Sequence, residues 1–126
     1  MILVDTSVWI DHLRQKDARL IQLLNEGRVL THPFVTGELA LGSFRNRDAV
    51  LNALQNMAQA PVATDGEVLR FIERNALHGL CIGYVDAHLL ASARLAPVAR
   101  LWTRDKRLLA TSIRLGLADG MNVATH

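Results

Sequence analysis

Cysteine is nearly absent: Cys81 stands alone among 126 residues, with no partner for a disulfide or a Cys-X-X-Cys metal site. A disulfide scaffold and a thiolate zinc site are therefore excluded, and Cys81, between Leu80 and Ile82, reads as a small core residue. Long apolar runs are missing too. Met1 to Val4 and Cys81 to Val85 fall far short of the ~20 residues of a membrane helix. No basic segment, long apolar segment and small-residue cleavage site follow Met1, so no secretory signal is expected and the expected compartment is the cytoplasm. Repeats, low-complexity tracts and linkers are also lacking.

What is present is an ordinary globular composition. Apolar residues make up 50% and charged residues 21%, which excludes disordered and collagen-like chains. A chain of this length has room for one domain, 1–126, with a core that needs no staple. The net charge of +2 is too small to diagnose a nucleic-acid binder, but its distribution is uneven. Six cations (Arg94, Arg100, Arg104, Lys106, Arg107 and Arg114) face only Asp105 between residues 94 and 114, a local +5 against −3 elsewhere. Twelve of the 14 cations are arginine, whose planar fork suits phosphate.

Met1 to Val4 reads as a buried strand ended by Asp5-Thr6-Ser7 at a helix N-terminus. Helices are expected at 8–13, 18–25, 34–44, 47–58, 67–77, 84–95 and 105–115. Strands are expected at 28–31 and 98–102, with a minor one at 60–63 and a last short one at 121–125. This alternation predicts an α/β fold with a parallel sheet covered by helices on both faces.

Four carboxylates break the pattern. Asp5 ends a strand where open parallel sheets place their ligand sites. Glu38 shares a helix face with Val35 and Gly42, and Asp86 heads the apolar stripe Leu89, Leu90, Ala93. Asp105 follows Leu101-Trp102-Thr103 at a second strand-to-helix junction. Gathered at one mouth of the sheet, they would repel one another and require neutralisation. An all-oxygen set without cysteine suits Mg²⁺ or Mn²⁺, and such ions serve phosphodiester hydrolysis.

Each residue also has a plainer reading. Asp5 can be an N-cap, although Thr6 and Ser7 compete for that role, and Asp105 before Lys106-Arg107-Leu108 looks equally like a cap and like a ligand. Glu38 and Asp86 can point to water. His88 projects to a different helix face from Asp86, and His12, His32, His78 and His126 make no ligand spacing. Trp9 and Trp102 sit beside apolar runs and read as core or interface residues.

Leu3-Val4-Asp5-Thr6-Ser7-Val8-Trp9-Ile10, Gly37-Glu38-Leu39-Ala40, the block from Tyr84 to Ala93, and Leu101 to Leu108 together resemble the VapC toxins, which are PIN-domain ribonucleases. The resemblance spans nearly the whole chain, with no departure at an acidic position. It implies an α/β/α sandwich with a short parallel sheet, acting as a Mg²⁺- or Mn²⁺-dependent endoribonuclease toxin. It also implies Asp5, Glu38, Asp86 and Asp105 as the catalytic, metal-binding set, with Thr6, Ser7 and Thr103 lining the site. The implied partners are a VapB-type antitoxin that can insert a basic side chain among the carboxylates, an RNA substrate, and a second copy of the chain. Operator DNA would be reached only through the antitoxin. Arg100, Arg104, Lys106 and Arg107 flank Asp105 and are expected to hold RNA phosphates.

Two rivals are weaker. A non-catalytic nucleic-acid-binding PIN module would lack an acidic ligand, and all four are present. An aspartate-nucleophile phosphatase wants Asp where Ser7 stands, and a response-regulator domain wants an acidic residue where Thr6 stands.

Overall fold

Ile2, Leu3 and Val4 are all buried and form β1 (Ile2–Val4), the middle strand of the sheet. A strand covered on both faces needs apolar residues at every position, which is why this segment shows no alternation. In the computed structural model, which describes residues 1–120, β1 pairs in parallel with β2 (Val29–Leu30) and β3 (Arg100–Trp102), in the order β2-β1-β3. Ile2 lies opposite both Val29 and Arg100, and Val4 opposite Trp102.

The helices α1 (Thr6–Arg14) and α2 (Ala18–Asn25) connect β1 to β2. Gly27, at φ +65°, reverses the chain after α2. Four helices then precede β3: α3 (Pro33–Ala40), α4 (Arg47–Asn56), α5 (Asp65–Arg74) and α6 (Tyr84–Leu95). The last described helix is α7 (Lys106–Arg114). Their starts follow local chemistry. Asp17 accepts the Leu20 amide, Thr64 and Glu67 form a reciprocal capping box, and His32 Nδ1 accepts the Phe34 amide with Pro33 at the first helical position. Every residue of α6 from Ala87 to Ala93 is buried. The result is the expected α/β/α arrangement around a short parallel sheet.

Three expectations are corrected. Residues 60–63 do not form a strand: the chain pairs with Thr31 only at Gln59, in a single parallel bridge. The Ala60 amide still reaches the Thr31 carbonyl at 2.8 Å, but the next donor in the ladder would be residue 33, and Pro33 has no amide and opens α3. The third helix stops at Ala40 rather than Phe44, where the Arg47 guanidinium takes the free Ala40 carbonyl. Cys81 is exposed, not a core residue. At φ +60° it forms the turn between α5 and α6, while its neighbours Leu80 and Ile82 pack on the core. The strand expected at 121–125 lies outside the described residues, although Ala118 already bridges to Leu101 in parallel.

Candidate metal centre

The strands β1 and β3 end side by side, the Asp5 amide donating to the Trp102 carbonyl at 2.9 Å. Asp5 and Asp105 therefore leave the sheet together at its carboxyl end. Asp5 occupies the N-cap position of α1, yet its side chain makes no capping bond. Its Oδ2 instead accepts from Ser7 Oγ at 2.7 Å and Thr103 Oγ1 at 2.8 Å. The same hydroxyls tie down the next loop: Ser7 Oγ accepts the Arg104 amide, and Thr103 Oγ1 accepts the Asp105 amide. Asp5 is only 6% exposed, so it is a buried carboxylate served by neutral hydroxyls alone.

The other three stand around it in different states. Glu38 is exposed, contrary to a buried position on its helix face, and its Oε1 accepts from Thr6 Oγ1 at 2.7 Å. That bond links α3 to the first turn of α1. Asp86 is partly buried in the first turn of α6, with Oδ2 accepting the Gly83 amide at 3.0 Å. Asp105 caps α7, and both capping bonds, from the amides of Arg107 and Leu108, fall on Oδ1. The cap and ligand readings of Asp105 are thus compatible, since Oδ2 takes no part in the cap.

Burial raises the pKa of Asp86, and the Gly83 amide opposes that rise. The negative charges of Asp5, Asp105 and Glu38 then add to it, in that order. All four carboxylates thus act on one region of space. Among the described residues, no lysine, arginine or histidine forms an ion pair with any of them. Nor are any three His, Cys, Asp or Glu side chains gathered there as a ready-made metal-holding group. Four carboxylates, each bonded to the protein through one oxygen, offer hard oxygen donors of the kind Mg²⁺ and Mn²⁺ prefer.

The cations expected beside Asp105 divide. Lys106 and Arg107 are exposed on the first turn of α7, next to the mouth. Arg100 opens β3 opposite Ile2, at the other end of the sheet. Arg104 is committed to carboxylates, pairing with Asp11 at 2.8 Å and Asp17 at 2.6 Å. Asp11 and Asp17 were invisible as partners because they lie 93 and 87 residues away in sequence. Trp9 and Trp102 are buried, as expected of core residues, and Trp102 has the Arg19 and Arg104 guanidiniums 4.5 and 5.9 Å from its ring.

Residues 2–113 match the PIN domain family, a span that includes all four carboxylates. Two curated relatives, both named Ribonuclease VapC32, come from Mycobacterium tuberculosis strains CDC 1551 / Oshkosh and ATCC 25618 / H37Rv. Each is 56% identical over 118 residues, covering 94% of this chain and 95% of the relative. The chain belongs to the VapC family of PIN-domain proteins. In this VapC-family chain the mouth of the sheet is thus built by four separate segments: the ends of β1 and β3 and the helices α3 and α6. No described helix is long and apolar enough to cross a membrane.

Proposed function

We propose that this chain is the toxin of a VapBC-type toxin–antitoxin pair, a metal-dependent endoribonuclease that hydrolyses RNA phosphodiester bonds in the cytoplasm. The observation that carries this reading is Asp5 and Asp105 leaving adjacent strands at the carboxyl end of a PIN-family sheet, with Glu38 bonded to Thr6 beside Asp5, Asp86 within their field, and none of the four in an ion pair among the described residues. Asp5, Glu38, Asp86 and Asp105 would hold Mg²⁺ or Mn²⁺. Bound there, the metal supplies a water nucleophile at neutral pH and charge neutralisation at the scissile phosphate. The hydroxyls of Ser7 and Thr103 orient Asp5, and that of Thr6 orients Glu38. Lys106 and Arg107 stand where RNA phosphates next to the mouth would pass.

The same lack of a counter-cation explains how a partner would silence the site. A VapB-type antitoxin that places an arginine or lysine among the carboxylates satisfies them as a metal does, and competes with it. The relatives' name places them among ribonucleases, and 56% identity over nearly the full length extends that chemistry to this chain. A second copy of the chain, and operator DNA reached through the antitoxin, belong to the same proposal.

Total RNA treated with purified, antitoxin-free protein tests it. Discrete fragments are expected with Mg²⁺ or Mn²⁺, none with EDTA, and none with Asp5→Asn. Mg²⁺ is also expected to raise the melting temperature of the native chain and to leave that of Asp5→Asn unchanged, a readout independent of activity. A folded chain that shows neither effect with either metal is instead a non-catalytic nucleic-acid-binding module.

A further inference from the structure

Much of the basic stretch in the sequence does not gather at the acidic mouth. Its two ends meet α5 instead. The Arg94 guanidinium lies 5.9 Å from the centre of the Phe71 ring and donates to the Leu115 carbonyl at 2.9 Å. Arg114 donates to the Asn75 carbonyl, just past the last turn of α5. Arg70 and Arg74, one turn apart on α5, complete a group of four arginines.

The helices α5 and α6 run in the same direction. At their N-terminal ends Asp65 bonds the Tyr84 hydroxyl, and further along Phe71 meets Arg94. Between them lies a cleft of about 240 Å³, lined by Arg70, Arg74 and Arg94 over Phe71 and Ala91, with Glu67 its one carboxylate. Glu67 is already engaged, accepting the Thr64 amide at 2.9 Å in the capping box. Arg19, Arg28, Arg47 and Arg104 all sit within ion-pair distance of a carboxylate. Among the described residues, Arg70, Arg74, Arg94 and Arg114 do not, and neither do Arg14, Arg45, Arg100 and Arg107, but only Arg70, Arg74 and Arg94 line one cleft together.

We propose that this cleft is a binding site for the backbone phosphates of RNA, gripping the strand that extends from the acidic mouth. The proposal rests on the ribonuclease reading for its choice of polyanion. Position allows it: Arg94 follows Asp86 by eight residues on α6, so the cleft lies toward the opposite end of that helix from the mouth, roughly 12 Å away along the axis, a span that an RNA strand of a few nucleotides covers. Chemistry favours it. Guanidinium forks match phosphate oxygens, and Arg94 is already held in place by Phe71 and the Leu115 carbonyl, so binding costs less ordering. A second grip at this distance would let the mouth, with few cations of its own, hold a polyanion beside four carboxylates.

The test is binding of a single-stranded RNA oligonucleotide in EDTA, which withholds the metal that cleavage requires, followed by fluorescence anisotropy over a salt series. Arg70 and Arg74 are exposed, so the double variant Arg70→Gln/Arg74→Gln is expected to fold, checked by its melting curve. Its slope of log affinity against log salt should shrink by about 1.4, two contacts at ~0.7 each for a single strand, with several-fold weaker binding at low salt. Arg45→Gln, which removes an exposed cation that does not line the cleft, should keep the native slope. An unchanged slope in the double variant overturns the proposal. So does an acidic peptide that binds more tightly than the RNA and is lost in the same variant, which would make the cleft a protein site. Cleavage by the native chain is read separately. Cleavage with an unchanged slope removes the cleft alone, whereas a reduced slope in a chain that cuts nothing removes the ribonuclease reading and leaves the cleft.

Discussion

At the scale of the residue, Asp86 shows what the acidic mouth costs the fold. Its pKa in the folded chain is raised, by burial first and then by the other three carboxylates, so the metal-free fold holds that proton more tightly than the unfolded chain does. This contribution therefore favours the fold as pH falls through the raised pKa and opposes it above that point. Asp86→Asn keeps an oxygen for the Gly83 amide while removing the charge. In metal-free buffer it is expected to raise the urea midpoint at neutral pH and to abolish RNA cleavage. Added Mg²⁺ should reverse the order of stability, since it binds the native site and not the variant. The positions of Asp5, Glu38, Asp86 and Asp105 were legible as breaks in apolar patterns. Their burial was not, because Glu38 and Asp5 differ only in the neighbours that tertiary packing supplies. His88 shows the same limit: two residues past Asp86 on α6, it is 1% exposed, with the rings of Phe34 and Tyr84 packed on it.

At the scale of the element, the loop between β3 and α7 is held by the side chain of Arg104. One guanidinium reaches Asp11 on α1 and Asp17 at the start of α2. Burial resists ionisation of Asp17, but the Leu20 amide and Arg104 outweigh it and hold the pKa down. The backbone of the same loop delivers the Arg104 amide to Ser7 and places Thr103 on Asp5. Arg104→Gln is thus expected to cost about 1 kcal/mol in low salt and less in high salt, because both pairs are partly exposed. Cleavage should fall with it while the salt slope of RNA binding stays native. A reduced slope in that variant would return Arg104 to phosphate binding. Sequence pattern could not reveal this role, since periodicity registers neighbours three or four residues apart and is blind to pairs some 90 apart. The helices were legible for the converse reason: their stripes and caps are local. The strand expected at 60–63 depended on a neighbouring edge, and that edge ends where Pro33 opens α3.

At the scale of the whole molecule, a second titrating group acts against the first. His32 is fully buried beneath α3, its Nδ1 receiving the Phe34 amide at 3.0 Å, with the His88 ring 6.5 Å away. Burial, reinforced by His88, pushes its pKa down to about 4. The unfolded chain, with an ordinary histidine pKa of 6.5, then binds the proton first. Stability from this group is complete above pH 6.5 and is lost as pH falls toward 4, on the order of 3 kcal/mol. His32→Asn, which can still cap α3 but does not titrate, should flatten that slope in urea midpoints compared at neutral and mildly acidic pH. The α/β/α architecture itself was readable, because apolar strands and striped helices alternate along the chain. The order β2-β1-β3 was not, and it has a consequence in time. Among the described strands the middle one is made before both its neighbours and β3 is made last, so Asp5 waits about a hundred residues for Thr103. A nascent chain on the ribosome therefore carries the pieces of its acidic mouth unassembled until Thr103 and Asp105 have emerged.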